Sequence, residues 1–235
     1  MRPAVALLRA GAGAGGGGTD PYLANVVSLL NMGGADGSTT FTDNTGKIWT
    51  PNGNAQIDTS LGFNAGLFDG SGDYISTPSD SSLSLDADYT IEFILRINSL
   101  SISGIFDNGA SSFSGAATAV IVNHATQANK LSFWCRNIGT TGAILSTNTL
   151  STGVDYHIAF VRSGVSSKTW QDGVSVGATA TETTAATVPL STSGLRVGKY
   201  WGGDFNGWIR AFRVTKGVAR YTSAFTPPSA PFPTT

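Results

Sequence analysis

The run Tyr89–Asn98, YTIEFILRIN, alternates without a break: Tyr89, Ile91, Phe93, Leu95 and Ile97 share one face, and Thr90, Glu92, Ile94 and Arg96 the other. A period of two predicts a strand with one face on a core and the other towards solvent. The same reading places strands at Ala65–Asp69, Ile105–Asp107, Ala117–Asn123, Lys130–Arg136, Tyr156–Ser163, Lys168–Gln171, Val174–Ala178, Leu195–Gly198 and Trp208–Thr215. Six Asx-Gly pairs punctuate them: Asp36-Gly37, Asn52-Gly53, Asp69-Gly70, Asn108-Gly109, Asp172-Gly173 and Asn206-Gly207. Such pairs accept positive φ and predict tight hairpin turns. Short strands at this spacing indicate antiparallel meanders in an all-β sandwich.

The stretch Thr19–Met32 opens with Asp20 before Pro21, a cap and first-turn pair. A single turn leading into a strand from Val26 is expected; a longer helix over these residues is the alternative. Asp36–Ser60 is loop-rich with hydrophobics at strand-like spacing, and Ala178–Pro189 is a low-complexity polar strand or loop. One domain, residues 19–235, follows a glycine-rich arm, residues 1–18.

Composition narrows the setting. Charged residues are 12% of the chain, the net charge is -1, and Glu occurs only at Glu92 and Glu182. The cations are scattered, so no nucleic-acid partner is indicated. No apolar run is long enough to predict a membrane span. The single cysteine, Cys135, alternates with Leu131 and Phe133 and is expected to face the core. In the arm, the apolar centre Ala4–Leu8 is cut by Arg9 and is too short for a signal peptide. A tether that docks on a neighbouring subunit through Arg2, Leu7, Leu8 and Arg9 is expected instead.

Several segments then coincide. The opening DPYLANVVSLLNMGGADGSTTFTDNTGK, the landmark AGLFDGSGDYISTP, the strand YTIEFILRI, the pair YHIAFVRSG and WQDGVSVG, and the closing LRVGKYWGGDFNGWIRAFRVTKGVARYTSAFTPPSAPFP follow in one order. That order resembles laminin-G-like domains of the concanavalin A-like class, and the ending resembles the variant common in bacteriophage structural proteins. The resemblance implies a jelly-roll-like sandwich of two antiparallel sheets. It also implies a non-enzymatic virion component, a head decoration or part of a tail or fibre. Such a component would be multi-copy or homo-oligomeric, contact other virion proteins, and be assembled in the host cytoplasm. A host-surface carbohydrate adhesin is the second reading and a secreted glycan-active enzyme the third.

Site chemistry follows from the residues. Glycosidases need two carboxyls a few ångströms apart. The endoglucanase-type Glu-x-Asp-x-x-Glu strand of this class is absent, because Glu92 is followed by Phe93-Ile94 and Glu182 stands among threonines. His157 alternates with Ala159 and Val161 and reads as a hydrogen-bonded structural histidine; His124 precedes a polar loop and reads as solvated. No catalytic residue is assigned. Asp69, Asp73 and Asp204, flanked by glycines, are the candidate Ca²⁺ ligands, with turn-building as the alternative for the first two. Relatives often carry an acid after the isoleucine of the closing strand, where this chain has Arg210 and Ala211. Tyr200, Trp201 and Asp204 form the candidate glycan contact: adjacent residues on a strand cannot both face inward, so one aromatic is expected outside. Trp49 and Trp170 are further candidates, and Trp208 is expected in the core. Lys199, Arg210, Arg213, Lys216 and Arg220 are a candidate protein contact, and Pro227, Pro228, Pro231 and Pro233 an extended exit.

Overall fold

The computed structural model describes residues 18–109, 118–124, 128–135, 143–181 and 194–235. Its strands are, in chain order, β1 (Val26–Leu30), β2 (Phe41–Thr42), β3 (Ile48–Asn52), β4 (Gln56–Asp58), β5 (Ala65–Asp69), β6 (Tyr74–Ser76), β7 (Tyr89–Ile97), β8 (Ser103–Asp107), β9 (Thr118–Val122) and β10 (Leu131–Cys135). They continue with β11 (Ala143–Leu145), β12 (Asp155–Ser163), β13 (Ser166–Gln171), β14 (Val174–Ser175), β15 (Ala180–Thr181), β16 (Arg196–Val197), β17 (Lys199–Tyr200), β18 (Gly203–Asp204) and β19 (Asn206–Lys216). A single 3₁₀ turn, Leu23–Asn25, leads into β1, as the sequence predicts. Its N-cap is Tyr22, however, and Asp20 serves instead as a turn acceptor for the Tyr22 amide at 2.9 Å.

Two sheets form a sandwich. The first runs β14-β13-β12-β7-β19-β5-β4, with β1 on the same edge of β19 as β5 and β15 on β13. The second runs β11-β10-β9-β8-β16-β6-β3-β2, and the β17–β18 hairpin leans on β8. Inward residues of both sheets meet in one core. There Trp49, Phe93, Phe106 and Phe212 pack ring against ring, with Phe133 stacked on Phe160 at 4.5 Å. Each such ring removed from water contributes roughly 1.5–3 kcal/mol. Cys135 lies in this core.

Strand β7 departs from expectation. Both of its faces are buried: Thr90 and Glu92 are fully shielded and Ile94 nearly so. The cause is remote in sequence. After β19 the chain turns back and lays Arg220–Phe232 across the outer face of the first sheet. Phe232 joins Val26, Leu29, Ile94 and Ala211 in one apolar cluster, and Tyr221 and Phe225 cover Ala159, Val161 and Trp170 in another. The proline-rich exit is thus a covering layer.

Five of the six Asx-Gly pairs place glycine at positive φ in a turn or loop, and at Asp172-Gly173 both residues adopt it, giving the expected two-residue hairpin. Asn206-Gly207 does not turn; it begins β19. Glycine is needed at 207 for closeness, since a Cβ there would lie 2.3 Å from the Arg96 carbonyl oxygen. A bulge between Ile209 and Ala211 then shifts the phase of β19. Ile209 and Phe212 therefore face the core, and Trp208 is only half-buried, its indole N–H donating to Asp58.

Candidate functional site

The hairpin Lys199–Asp204 is built by close packing. Lys199 pairs with Asp204 and Tyr200 with Gly203 around a Trp201-Gly202 turn, and Asp204 pairs with Gly104 of β8. A Cβ at Gly104 would lie 2.2 Å from the Tyr200 amide nitrogen, and one at Gly203 would lie 2.6 Å from the Ile102 carbonyl oxygen. Only glycine lets the hairpin lie this flat on the second sheet. Tyr200 thereby packs on Ala119 and Ile121, and burial pushes its hydroxyl pKa up. It caps the sheet rather than facing solvent.

Trp201 lies in the turn beyond β17, outside the strand on which alternation was expected to turn one aromatic outward. Half-buried, it stands edge-on to Tyr200 with ring centroids 5.4 Å apart. A residue not foreseen from sequence joins it: Trp134 of β10, also half-buried, packs on the same Ala119–Ile121–Tyr200 cluster. His124 lies beside Trp134, ring centroids 6.5 Å apart, and is half-buried rather than solvated. Ile102, next to the hairpin, is 49% exposed. Trp134 sits out of phase with Leu131, Phe133 and Cys135, and that phase was the signal that would have found it.

The three aspartates do gather round one loop, but each already has partners. Asp73 is fully buried, accepting from the Asn54 and Asp69 amides at 2.7 and 3.0 Å. Asp69 accepts from the Ser71 amide at 2.7 Å, closing a turn. Asp204 accepts from the Gly72 amide at 2.8 Å and from the Lys199 ammonium, tying hairpin to loop. Turn and loop contacts occupy Asp69 and Asp73, and Asp204 ties the hairpin to their loop. Among the described residues no three His, Cys, Asp or Glu side chains are grouped as a metal ion would need.

On the covered face of the first sheet the charged residues form a closed network. Glu92 accepts from His157 Nε2 at 2.9 Å, Arg213 Nε at 2.8 Å and the Tyr221 hydroxyl at 2.8 Å. Arg213 and Arg220 both donate to Asp20, the latter through two nitrogens at 2.9 and 2.8 Å. Burial alone would raise the Glu92 pKa, but the His157 hydrogen bond and the Arg213 charge outweigh it and hold the carboxyl at about 2. Asp20 responds in the same way: burial opposes its ionisation, and the Arg220 and Tyr22 hydrogen bonds bring its pKa below the ordinary value. Burial and the Glu92 charge push the Tyr221 hydroxyl far up, so it stays a donor.

The proposed basic contact is therefore taken up internally. Arg213 and Arg220 are in this network, Arg210 pairs with Asp155 at 3.1 Å, Lys199 with Asp204, and Lys216 approaches Asp86 at 3.5 Å. Trp49 and Trp170 are core residues, 5% and 2% exposed, not surface contacts. Arg2, Leu7, Leu8, Arg9 and Glu182 lie outside the described residues.

Known proteins place this architecture. The model of the concanavalin A-like lectin/glucanases superfamily matches residues 69–220. The chain belongs to that superfamily. No curated protein matches it in sequence. Among solved structures it is similar to domain 4 of an extracellular arabinanase from Geobacillus stearothermophilus, in complex with arabinotriose, at 18% identity and a TM-score of 0.62, covering 83% of this chain and 94% of that one. It is also similar to botulinum neurotoxin type C, whose cell entry depends on two ganglioside molecules (14% identity, TM-score 0.58), covering 84% of this chain and 49% of that one. A Trypanosoma rangeli sialidase matches at 15% identity and a TM-score of 0.54, covering 86% of this chain and 32% of that one. At these identities the likeness is one of fold, and the chain spans about half of the neurotoxin chain and a third of the sialidase chain.

Proposed function

We propose that this member of the superfamily is a non-catalytic carbohydrate-recognition domain, with Trp201 and Trp134 as its contact surface. The observation that carries the reading is the half-buried pair of indoles on the outer face of the second sheet, held by a glycine-packed hairpin. A pyranose presents an apolar face and a rim of hydroxyls; a rigid indole offers apolar area at little entropic cost. One neighbour of the same fold in complex with arabinotriose, and another whose cell entry depends on two ganglioside molecules, support the choice of ligand class. Binding without turnover is supported by Glu92, which lies under the C-terminal segment with its carboxylate taken by His157, Arg213 and Tyr221.

The closing segment's resemblance to phage structural proteins suggests the setting. The domain would be carried in several copies on a virion, where weak contacts to host-surface glycans add by avidity. A glycan array probed with the multimerised domain tests the reading. Signals on a defined glycan class that vanish in Trp201→Ala are expected; an array without signals, or signals indifferent to Trp201→Ala and Trp134→Ala, would refute it. Mass spectrometry of purified particles tests the setting, and absence of the chain from them would remove it.

A further inference from the structure

The C-terminal layer over the first sheet has an edge at Tyr221 and Thr222, and a cavity of about 310 Å³ opens beside it. Strands β12 and β13 build its floor. Val161 is the cross-strand partner of Lys168, and Ser163 that of Ser166, so the two pairs lie two residues apart on one face of the sheet. That face is the outer one, because Val161 and Trp170 belong to the cluster under Tyr221 and Phe225. Tyr221 gives its hydroxyl to Glu92 and stacks its ring on Phe225, centroids 3.6 Å apart, so it offers the cavity a fixed apolar wall. Thr179 and Thr222 complete the lining.

The charge of this lining is unbalanced. It holds one cation, Lys168, and no acid. Other cations of the fold are spent on carboxylates, Lys47 on Asp80 and Arg196 on Asp107 among them. Lys168 has no carboxylate partner among the described residues; its ammonium leans on the Trp170 ring, 5.8 Å from the centroid. Trp170 itself is 2% exposed beneath Phe225 and outside the cavity. Solutes can reach the polar groups: Lys168 and Ser166 are half-buried, and Ser163, Thr179 and Thr222 are exposed. One ammonium matches a single negative charge, whereas the forked arginines suited to a phosphate are missing from the lining. The serine and threonine hydroxyls donate and accept, as the hydroxyls of a sugar require. Val161 and the Tyr221 ring suit the apolar face of a pyranose.

We propose that this cavity binds an acidic sugar, a pyranose bearing one carboxylate, with the carboxylate on the Lys168 ammonium and the ring against Val161 and Tyr221. It is a second site, on the sheet opposite the Trp134–Trp201 surface, and it stands whether or not that surface binds.

Backbone-amide NMR of the full chain tests it, following Ser166 and Lys168 during titration with D-glucuronate and D-galacturonate. D-glucose and D-galactose are the same rings without the carboxylate, and sodium acetate is the carboxylate without a ring. Saturable shifts with at least one uronate are expected, with its neutral counterpart at least about tenfold weaker, the worth of a hydrogen bond to a charged group. Acetate should also bind more weakly than the uronate. Lys168→Gln should erase the preference for the uronate over the neutral sugar. Thr222→Trp, which enlarges an exposed residue of the lining, should abolish binding, and it decides the matter if Lys168→Gln does not fold. Trp201→Ala should change nothing, which separates this site from the Trp134–Trp201 surface. No saturable shift from either uronate, a neutral sugar bound as tightly, or acetate bound as tightly (an adventitious ion only) would each overturn the proposal. So would a preference that survives Lys168→Gln, or binding lost in Trp201→Ala.

Discussion

The two outer faces of this sandwich are finished in opposite ways. On the first sheet the chain's own C-terminal segment covers the strands, and the outward residues become a second interior: Glu92, His157 and Arg213 are at most 4% exposed. On the second sheet the outward residues are met by a short hairpin that buries Tyr200 and leaves Trp201 and Trp134 partly open. The contrast separates a face finished for stability from the face proposed for recognition. Charges withdrawn from water are costly unless every lone pair is matched, so the covered face is exacting and tolerates little. The open face asks for glycines that permit approach, and its indoles stay only half-buried.

The sharpest way to break the contrast is to damage the covered face. Glu92→Ala strands Arg213 and His157 in a buried site, and a loss of about 3–5 kcal/mol is expected, read as a fall in the denaturant midpoint. A loss below about 1 kcal/mol would mean the network carries no more than a surface pair. Acid probes the same face. The folded Glu92 carboxyl, at about 2, binds a proton less readily than the unfolded one at about 4.5, so its contribution is full above pH 4.5 and fades as pH falls towards 2. Asp20, also lowered, adds in the same direction. The Glu92 share is at most about 3.4 kcal/mol, and that share of the acid slope should disappear in Glu92→Gln, leaving the part due to Asp20 and the partly exposed Asp80.

The open face should respond in the other currency. Trp134→Ala and Trp201→Ala each weaken glycan binding at least about tenfold, roughly 1.4 kcal/mol, while moving the melting temperature by only a few degrees. Asp204→Asn is the mildest change. It loosens the hairpin from Lys199 while keeping the Gly72 contact, and about 0.5–1 kcal/mol of binding is expected to go.

How much of this was written in the sequence follows the range of the interactions. Period-two patterns located most strands to within two residues, and the turn before β1 was readable from Asp20-Pro21 and the valines that follow. Failures came where distant segments meet. Glu92 finds Arg213 and Tyr221 across 121 and 129 residues, and no local pattern marks a strand whose second face will be covered later. The bulge at Arg210 inverted the phase that had put Trp208 inside. For the site, adjacency on a strand asked for one of Tyr200 and Trp201 to face out, whereas Trp201 lies half-buried in the turn beyond β17; Asp204 looked free because its Gly72 and Lys199 partners arrive only through the fold.

Trp134 and Trp201 on one outer face, Trp170 on the other and Trp49 in the core make the central claim directly measurable. The five tryptophan indole signals can be followed while the domain is titrated with the best ligand from the glycan array. The account predicts saturable shifts at Trp134 and Trp201, with Trp49 in the core and Trp170 under the C-terminal segment unmoved. Shifts at Trp170 with Trp134 and Trp201 silent would contradict it, and would place recognition on the face assigned here to stability.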